Sequence, residues 1–348
     1  MVSTMALCSH SPFRHFVSSV FLSRDITLPI QSFILNCWHS YPNNINRFVN
    51  AALQRGGIEN LYIKLFGTIS LKINLPDSIF SCKTLVVLHL KGVKLNVLSH
   101  LIVDLPRLKT LHLSRVYFQT VEYLPKFLSR CPILEELLLK NFLLFATKEL
   151  VLKENFQYLP NLIRANISNN FRSGGRVHFV DVLFTLCCRA EVLHAELWDI
   201  KQWDTRCRKF PMYHNLTYLE LILNHSSDCE ELKWRWKWLL EVLKQCPKLQ
   251  NLAIHESYCY GNESLDNWRD PAIVPECLST QLRTCLLKGY RNTECEIQFA
   301  KYILQNSKVL NTMSIQSASD LELNVKYQMI TKLTLSRRAS TTCELIFD

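Results

Sequence analysis

Residues 127–140 of the chain read FLSRCPILEELLLK. The stretch contains the phrase L-x-x-L-x-L, with Leu134, Leu137 and Leu139 at its three fixed positions. The phrase returns along the chain at intervals of about 23 to 33 residues, which is the spacing of solenoid repeats. Copies with apolar residues at these positions begin at Leu85, Leu108, Leu162, Val192, Leu216, Leu249, Leu282 and Leu310. Residues 61–65 form a degenerate copy, which we expect to be the first strand.

The spacing within the phrase predicts a short strand. Its second and third apolar positions lie two residues apart and face one side of the strand, whereas the residues between them face the other side. Helical or irregular segments, such as residues 121–130 and 239–245, return the chain to the next strand. One unit buries little apolar surface alone, but stacked units share a continuous core. The pattern therefore predicts an α/β fold, a leucine-rich-repeat solenoid (horseshoe) with a parallel concave sheet.

A small residue stands three positions before the first leucine in several units. Cys82, Cys131, Cys246 and Ser307 hold this place. We expect these cysteines to pack as small hydrophobic residues where a helix ends. The chain has 14 cysteines and no CxxC pair, which argues against a zinc module or a redox site and favours a reducing compartment. The sequence thus predicts no bound metal and no cofactor.

The net charge and the motifs of the sequence indicate which class of function to expect. The formal net charge is +10, and residues 1–100 carry nine Lys and Arg against three Asp and Glu. This bias favours acidic partners. It does not form the clustered basic stripe that a nucleic-acid-binding surface needs. The sequence has no secretory signal and no membrane-spanning run, which predicts a location in the cytoplasm or nucleus. It also lacks GxSxG, GxGxxG, HExxH and phosphate-loop motifs, so we expect a binding protein and not an enzyme.

The side chains between the leucines predict the binding surface, because repeat proteins usually bind through the concave sheet. These side chains are chemically mixed and could bind a folded protein, a peptide, or a small molecule beneath a partner. His89 and His112 hold the same place in adjacent repeats, but Leu138 follows in the third, so exposed polar residues are favoured over a metal pair. The candidate residues are His89, Lys91, His112, Ser114, Glu136, Lys140, Arg164, Asn166, Tyr218 and Glu220.

Residues 234–238 read WRWKW and interleave aromatic with basic side chains. Leu232, Trp236, Leu239 and Leu243 recur at helical spacing and predict one buried stripe. Trp234 and Trp238 lie off this stripe. Two interpretations stay open for these two residues: packing in the core or in a cap, or an aromatic patch that binds a partner.

Residues 127–137 resemble the leucine-rich repeats of plant F-box proteins. Four C-terminal segments look like successive landmarks of the FBD domain of that family: residues 274–278, 288–290, 300–306 and 338–345. Residues 16–25 and 37–39 are similar to the segment that follows the F-box. The resemblance implies a leucine-rich-repeat region over residues 16–273 and an FBD domain over 274–348 that caps the solenoid. Residues 1–15 are an unassigned N-terminal stub.

The resemblance also implies recognition of a target protein for ubiquitination. No F-box is recognised before the matching region, so we expect the chain not to capture a Skp-type adaptor. The leading hypothesis is a protein-interaction module like the substrate-recognition part of SCF-type ubiquitin ligases. One alternative is a ligase-independent scaffold or competitor for the same target. A less favoured one is a basic repeat protein that binds nucleic acid. The identity of the target stays open.

Overall fold

The computed structural model describes residues 2–7, 19, 23, 28–38, 42–66, 75–95, 103–118, 123–144, 158–168, 183–198, 210–224, 231–257 and 270–348. These residues divide into two compact units. The first lies within residues 1–166 and 178–186, and the second within residues 167–177 and 187–348. Each unit is built on parallel strands from successive repeats.

The first unit contains the strands of the predicted repeats, two strands that precede them and three short additional strands. They are β1 (Val2–Leu7), β2 (Ser32–Trp38), β3 (Asn60–Phe66), β4 (Val87–Lys91), β5 (Lys94–Leu95), β6 (Thr110–Ser114), β7 (Tyr117–Phe118), β8 (Glu136–Lys140), β9 (Leu143–Leu144) and β10 (Arg164–Ser168), whose first three residues belong to this unit. The order of the main sheet here is β1-β2-β3-β4-β6-β8-β10. The pairings of β1 through β8 within it are parallel and in register.

A second sheet of three strands, β5-β7-β9, lies beside the first. Each of its strands follows a main strand after a tight turn, and the turning residue has a positive φ: Gly92, Arg115 and Asn141. The residue after each turn is apolar and fully buried, namely Val93, Val116 and Phe142. The repeat therefore includes a short second strand that the leucine spacing did not predict.

The helices of the first unit return the chain between strands. They are α1 (Pro42–Gln54), a 3-10 helix (Asp77–Ser81), α2 (Tyr123–Leu128) and a helical turn at residues 183–186. Helix α1 buries Ile45, Phe48, Val49 and Ala52, which follow the spacing of one helical face.

The expectation that residues 61–65 form the first strand is wrong, because β1 and β2 precede β3 in the sheet. Strand β2 buries Phe33, Leu35 and Cys37 in alternation, with almost no exposed surface. An aromatic residue and a cysteine here take places that leucine holds in later repeats. Residues 2–7, which the sequence left unassigned, form β1 and pair in parallel with β2.

The second unit is also built on parallel strands, of four to seven residues. They are β11 (Val192–Trp198), β12 (Tyr218–Asn224), β13 (Asn251–Ser257), β14 (Thr284–Tyr290), β15 (Thr312–Ser317) and β16 (Glu344–Phe347), all parallel and paired in this order. Its helices are α3 (Glu231–Lys244), α4 (Glu276–Thr280), α5 (Glu294–Asn306) and α6 (Leu323–Thr334). In the described part of the chain, no helix has the length and apolar character needed to cross a membrane.

The C-terminal elements can be compared with the sequence landmarks. The strand predicted by the phrase that begins at Leu310 is β15, the landmark at residues 300–306 lies in α5, and the landmark at 338–345 extends into β16. Helix α5 begins with a capping box, in which the Glu296 N–H donates to Thr293 Oγ1 and the Thr293 N–H donates to the Glu296 carboxylate at 2.8 Å. This reciprocal pair fixes where the helix starts.

The predicted structural role of the cysteines before each leucine phrase is confirmed for Cys131 and Cys246. Both are fully buried, and their thiols donate to the carbonyl oxygens of Phe127 at 3.5 Å and Val242 at 3.2 Å. The backbone N–H of each cysteine also closes the last helical turn. Cys187 holds the same place before Ala190 and was missed. The predicted start of this copy at Val192 is wrong, because Leu193 is the register partner of Leu219, which makes Ala190 the first apolar position of the phrase.

Burial makes these thiols unreactive. It raises the pKa of Cys131 and of Cys187 to about 12, so neither forms a thiolate near neutral pH. We expect iodoacetamide at pH 8 to leave both unmodified in the folded protein and to modify both in denaturant, as read by peptide mass spectrometry. The half-buried Cys82 in the folded chain is the internal comparison. Labelling of Cys131 and Cys187 as fast as in the denatured protein would contradict the packing.

Gly289 offers a test of the second unit's geometry. It has φ +76° at a bulge in β14, and a Cβ there would lie 2.2 Å from the Glu256 carbonyl oxygen. We expect Gly289→Ala to lower the free energy of unfolding by about 2–4 kcal/mol. Alanine is strained in the left-handed backbone region, and its Cβ would overlap the Glu256 carbonyl oxygen. Gly56→Ala is the matched control, since Gly56 has φ +70° and open space around it, so only about 1 kcal/mol of strain applies. Equal losses in denaturant melts would refute the close approach.

Candidate partner-binding surface

The residues between the leucines lie on one side of the strands, here called the open face. In β4, β6 and β8 buried residues alternate with half-buried or exposed ones, and the buried ones are the leucines of the phrase. All ten predicted residues occupy open-face positions. Those of the first unit are His89, Lys91, His112, Ser114, Glu136, Lys140, Arg164 and Asn166, and those of the second are Tyr218 and Glu220. The role of these residues in binding stays a prediction.

A row of planar side chains crosses the open face of the first unit. Tyr62, His89 and His112 are register partners on β3, β4 and β6. The Tyr62 and His89 rings meet edge to face at 4.6 Å, and the His89 and His112 rings stack at 4.0 Å. His112 Nε2 lies 3.0 Å from Glu136 Oε1. These contacts hold the rings in defined positions on the sheet.

Burial and neighbouring charges change the pKa of one ring in this row. Burial, and then the positive charge of His112 and Lys64, lower the pKa of His89 to about 4, and Glu136 offsets part of the change. His89 is therefore neutral at neutral pH. Among the described residues, no group of three or more His, Cys, Asp and Glu side chains is arranged to hold a metal ion.

The second unit carries a cluster centred on the Glu220 carboxylate. His194 Nδ1 lies 2.5 Å from Glu220 Oε2, and His255 Nε2 lies 3.1 Å from Oε1. The Tyr218 hydroxyl donates to Oε2 at 3.3 Å. A carboxylate with these three partners is fixed in direction before any ligand arrives.

His255 belongs to this cluster, although the sequence did not single it out. The signal was present, because His255 follows Ile254 at the end of the phrase that starts at Leu249. Alternation places it on the open face of β13, next to β12. A second carboxylate, Glu196, accepts hydrogen bonds from the Ser168 hydroxyl and from Asn224 Nδ2 at 2.9 Å.

The Glu220 carboxylate contributes to the pKa of His255. Burial lowers the pKa of His255, the Glu220 carboxylate opposes this shift, and Lys288 adds to it. We expect Glu220→Gln to lower the pKa of His255 further, because the amide removes a negative charge that stabilises the imidazolium. Titration of ¹³C-labelled histidines by NMR measures the shift.

The matched control is Glu241→Gln, which removes a carboxylate paired with Lys244 on helix α3, away from the cluster. We expect this control to leave the His255 titration unchanged. An unchanged or raised pKa of His255 in Glu220→Gln would contradict the cluster.

The aromatic-patch interpretation is wrong for Trp238. Its side chain is 1% exposed and meets the Phe210 ring edge to face at 6.0 Å. Trp236 is buried as predicted and stacks on Phe299 at 4.5 Å. Helix α3 therefore buries more than the single stripe expected from its spacing. The side chain of Trp234 lies outside the described residues.

Two family profiles match the chain. The profile described as FBD matches residues 270–315, and the one described as "FBD-associated F-box protein At5g56370, LRR repeats" matches residues 50–152. The first match begins four residues before the predicted FBD boundary and covers α4, β14, α5 and part of β15. The second covers repeats of the first unit.

Relatives from Arabidopsis thaliana cover most of the chain. The FBD-associated F-box protein At4g10400 is 31% identical over 378 residues, which cover 98% of this chain and 88% of that protein. The FBD-associated F-box protein At5g56370 is 27% identical over 78% of this chain and 72% of its own length. The F-box/FBD/LRR-repeat protein At4g26340 is 28% identical over 79% and 72%. By this identity and coverage, the chain belongs to the family of FBD-associated F-box proteins with leucine-rich repeats.

Proposed function

We propose that the chain recognises a target protein through the open face of its strands, as the substrate-recognition part of an SCF-type ubiquitin ligase system. The observation that carries the proposal is the open face itself, where polar side chains recur at the same places in successive repeats. The relatives are named as F-box proteins, which supports the ligase context. The face supports protein recognition because repeat arrays offer extended surfaces of this kind.

The contacts within the open face favour binding. The rings of His89 and His112 are stacked, and Glu220 is held by three neighbours. Side chains that are already ordered lose less conformational entropy when a partner arrives. The mixture of histidine, carboxylate, lysine and tyrosine suits a protein surface, which presents both charged and apolar groups.

We also propose that the chain acts by binding and not by catalysis, in a reducing compartment inside the cell. The described cysteines support both points. All ten are free thiols, and burial raises the pKa of Cys131, Cys187, Cys246, Cys277 and Cys285. Buried thiols of raised pKa serve packing and not nucleophilic attack.

The test begins with affinity capture from the source tissue, followed by identification of the target and measurement of its Kd with purified proteins. We expect Ser114→Trp to weaken target binding about tenfold or more, because it adds bulk without charge to the open face. Ser129→Trp is the control, since Ser129 is exposed next to helix α2 and off the open face. Equal Kd values for the two variants, with both folded by circular dichroism, would refute recognition through this face.

The ligase part of the proposal has a separate readout. Fused to a Skp-type adaptor, the chain should shorten the half-life of the identified target, and the proteasome inhibitor MG132 should restore it. Ser114→Trp in the same fusion should leave the half-life unchanged. An unchanged half-life with the unsubstituted fusion would instead favour a competitor that occupies the target without delivering it.

A further inference from the structure

Three lysines share one row across the open face of the first unit. The register places Lys64 on β3 opposite Lys91 on β4, Lys91 opposite Ser114 on β6, and Ser114 opposite Lys140 on β8. Neighbouring strands lie about 4.8 Å apart, so the row extends over about 14 Å. Lys64 and Lys140 are exposed, and Lys91 is half-buried. We call these three residues the basic row.

The positive charge of the basic row is not neutralised by the described part of the chain. Lys91 Nζ lies 4.6 Å from the centre of the Phe66 ring, and no described carboxylate forms an ion pair with Lys64, Lys91 or Lys140. The nearby Glu136 contacts His112 instead. Like charges opposite each other in neighbouring strands destabilise a sheet. Lys64 and Lys91 are such a pair, so folding alone does not account for them.

Planar side chains lie next to part of the basic row. Tyr62, His89 and His112, on β3, β4 and β6, each lie one open-face position before Lys64, Lys91 and Ser114. The charge of Lys64 is felt there, since it contributes, after burial and His112, to the lowered pKa of His89. A ligand would therefore meet a line of cations beside a line of rings, of which His89 is neutral at neutral pH.

We propose that the basic row binds an acidic, extended segment of the target protein, whose carboxylates meet the lysines while its alternate side chains lie against Tyr62 and His89. The inference rests on the proposed function and specifies the partner's chemistry. An extended peptide advances about 3.3 Å per residue, so four or five residues cross the basic row. Peptide side chains two residues apart face the same way, which lets a segment present two or three carboxylates to it.

The limits of the basic row favour a peptide over nucleic acid. On the β2 side it ends at Asn36, the neutral register partner of Lys64. A nucleic-acid surface needs a longer basic stripe that follows many phosphates. Two or three carboxylates match the available charge.

The direct test uses a fluorescent peptide of alternating Glu and Tyr, with anisotropy measured on the full chain. We expect saturable binding that weakens as salt rises from about 50 mM to about 200 mM. The same peptide with Gln in place of Glu should bind about tenfold or more weakly. The charge-reversed variant K64E/K91E/K140E should lose about tenfold or more in affinity for the Glu peptide.

The matched control is R107E/R130E/K308E, which makes the same change in charge at exposed positions off the open face. We expect its affinity to stay within about twofold of the unmodified chain, because separated surface charges are screened. The milder K64Q/K91Q/K140Q guards against a folding defect and should also lose affinity. Melting curves by circular dichroism check that each variant folds.

The outcomes separate this inference from the proposed function. Equal binding of the Glu and Gln peptides, equal loss in the row and control variants, or no saturable binding of the Glu peptide would overturn the acidic-segment proposal. Tighter binding of oligothymidine that depends on the same lysines would replace it with nucleic acid. If K64E/K91E/K140E keeps full affinity for the captured target while Ser114→Trp loses it, the proposed function stands and this inference fails.

Discussion

The register between successive parallel strands is the constraint on which the rest of the molecule depends. Leu88 lies opposite Leu111, and Leu111 lies opposite Leu137, so each buried leucine packs on its equivalent in the next repeat. A shift of one residue would turn every leucine to the open face and every polar residue into the core. The same register therefore builds the core and aligns the open-face rows. The open face and the buried core therefore have one structural origin.

Much of the fold followed from the sequence, because leucine at fixed spacing is a strong signal. Strands β4, β6 and β8 lie at their expected places, and Cys131 and Cys246 end the helices that precede β8 and β13. Strands β1 and β2 were missed, since alternation in β2 uses Phe33 and Cys37 where later repeats use leucine. Trp238 was left open because helical spacing shows one stripe, whereas α3 contacts both α4 and α5 and buries a wider surface. When neighbouring helices cover a helix from two sides, its buried residues show no simple period in the sequence.

The open face was predictable as a surface but not as a set of contacts. Alternation tells which side chains face outward along one strand, and it predicted all ten positions. It does not tell which side chains meet across strands, because that depends on register and on rotamers. Two contacts across strands were not predicted for this reason: the contact between His255 and Glu220, and the stacking of His89 on His112. The units also differ in charge: the first presents the basic row, whereas the second holds its carboxylates among hydrogen-bond donors.

The central claim is that the open face created by the strand register is where the target binds. The most direct measurement is photo-crosslinking with benzoylphenylalanine placed at His112, on the open face of β6, and in a second protein at Arg130, which is exposed beyond helix α2. Mass spectrometry then identifies the crosslinked target peptide. The account predicts a crosslink to the target from position 112 and none from position 130. Crosslinking from position 130 alone would contradict it.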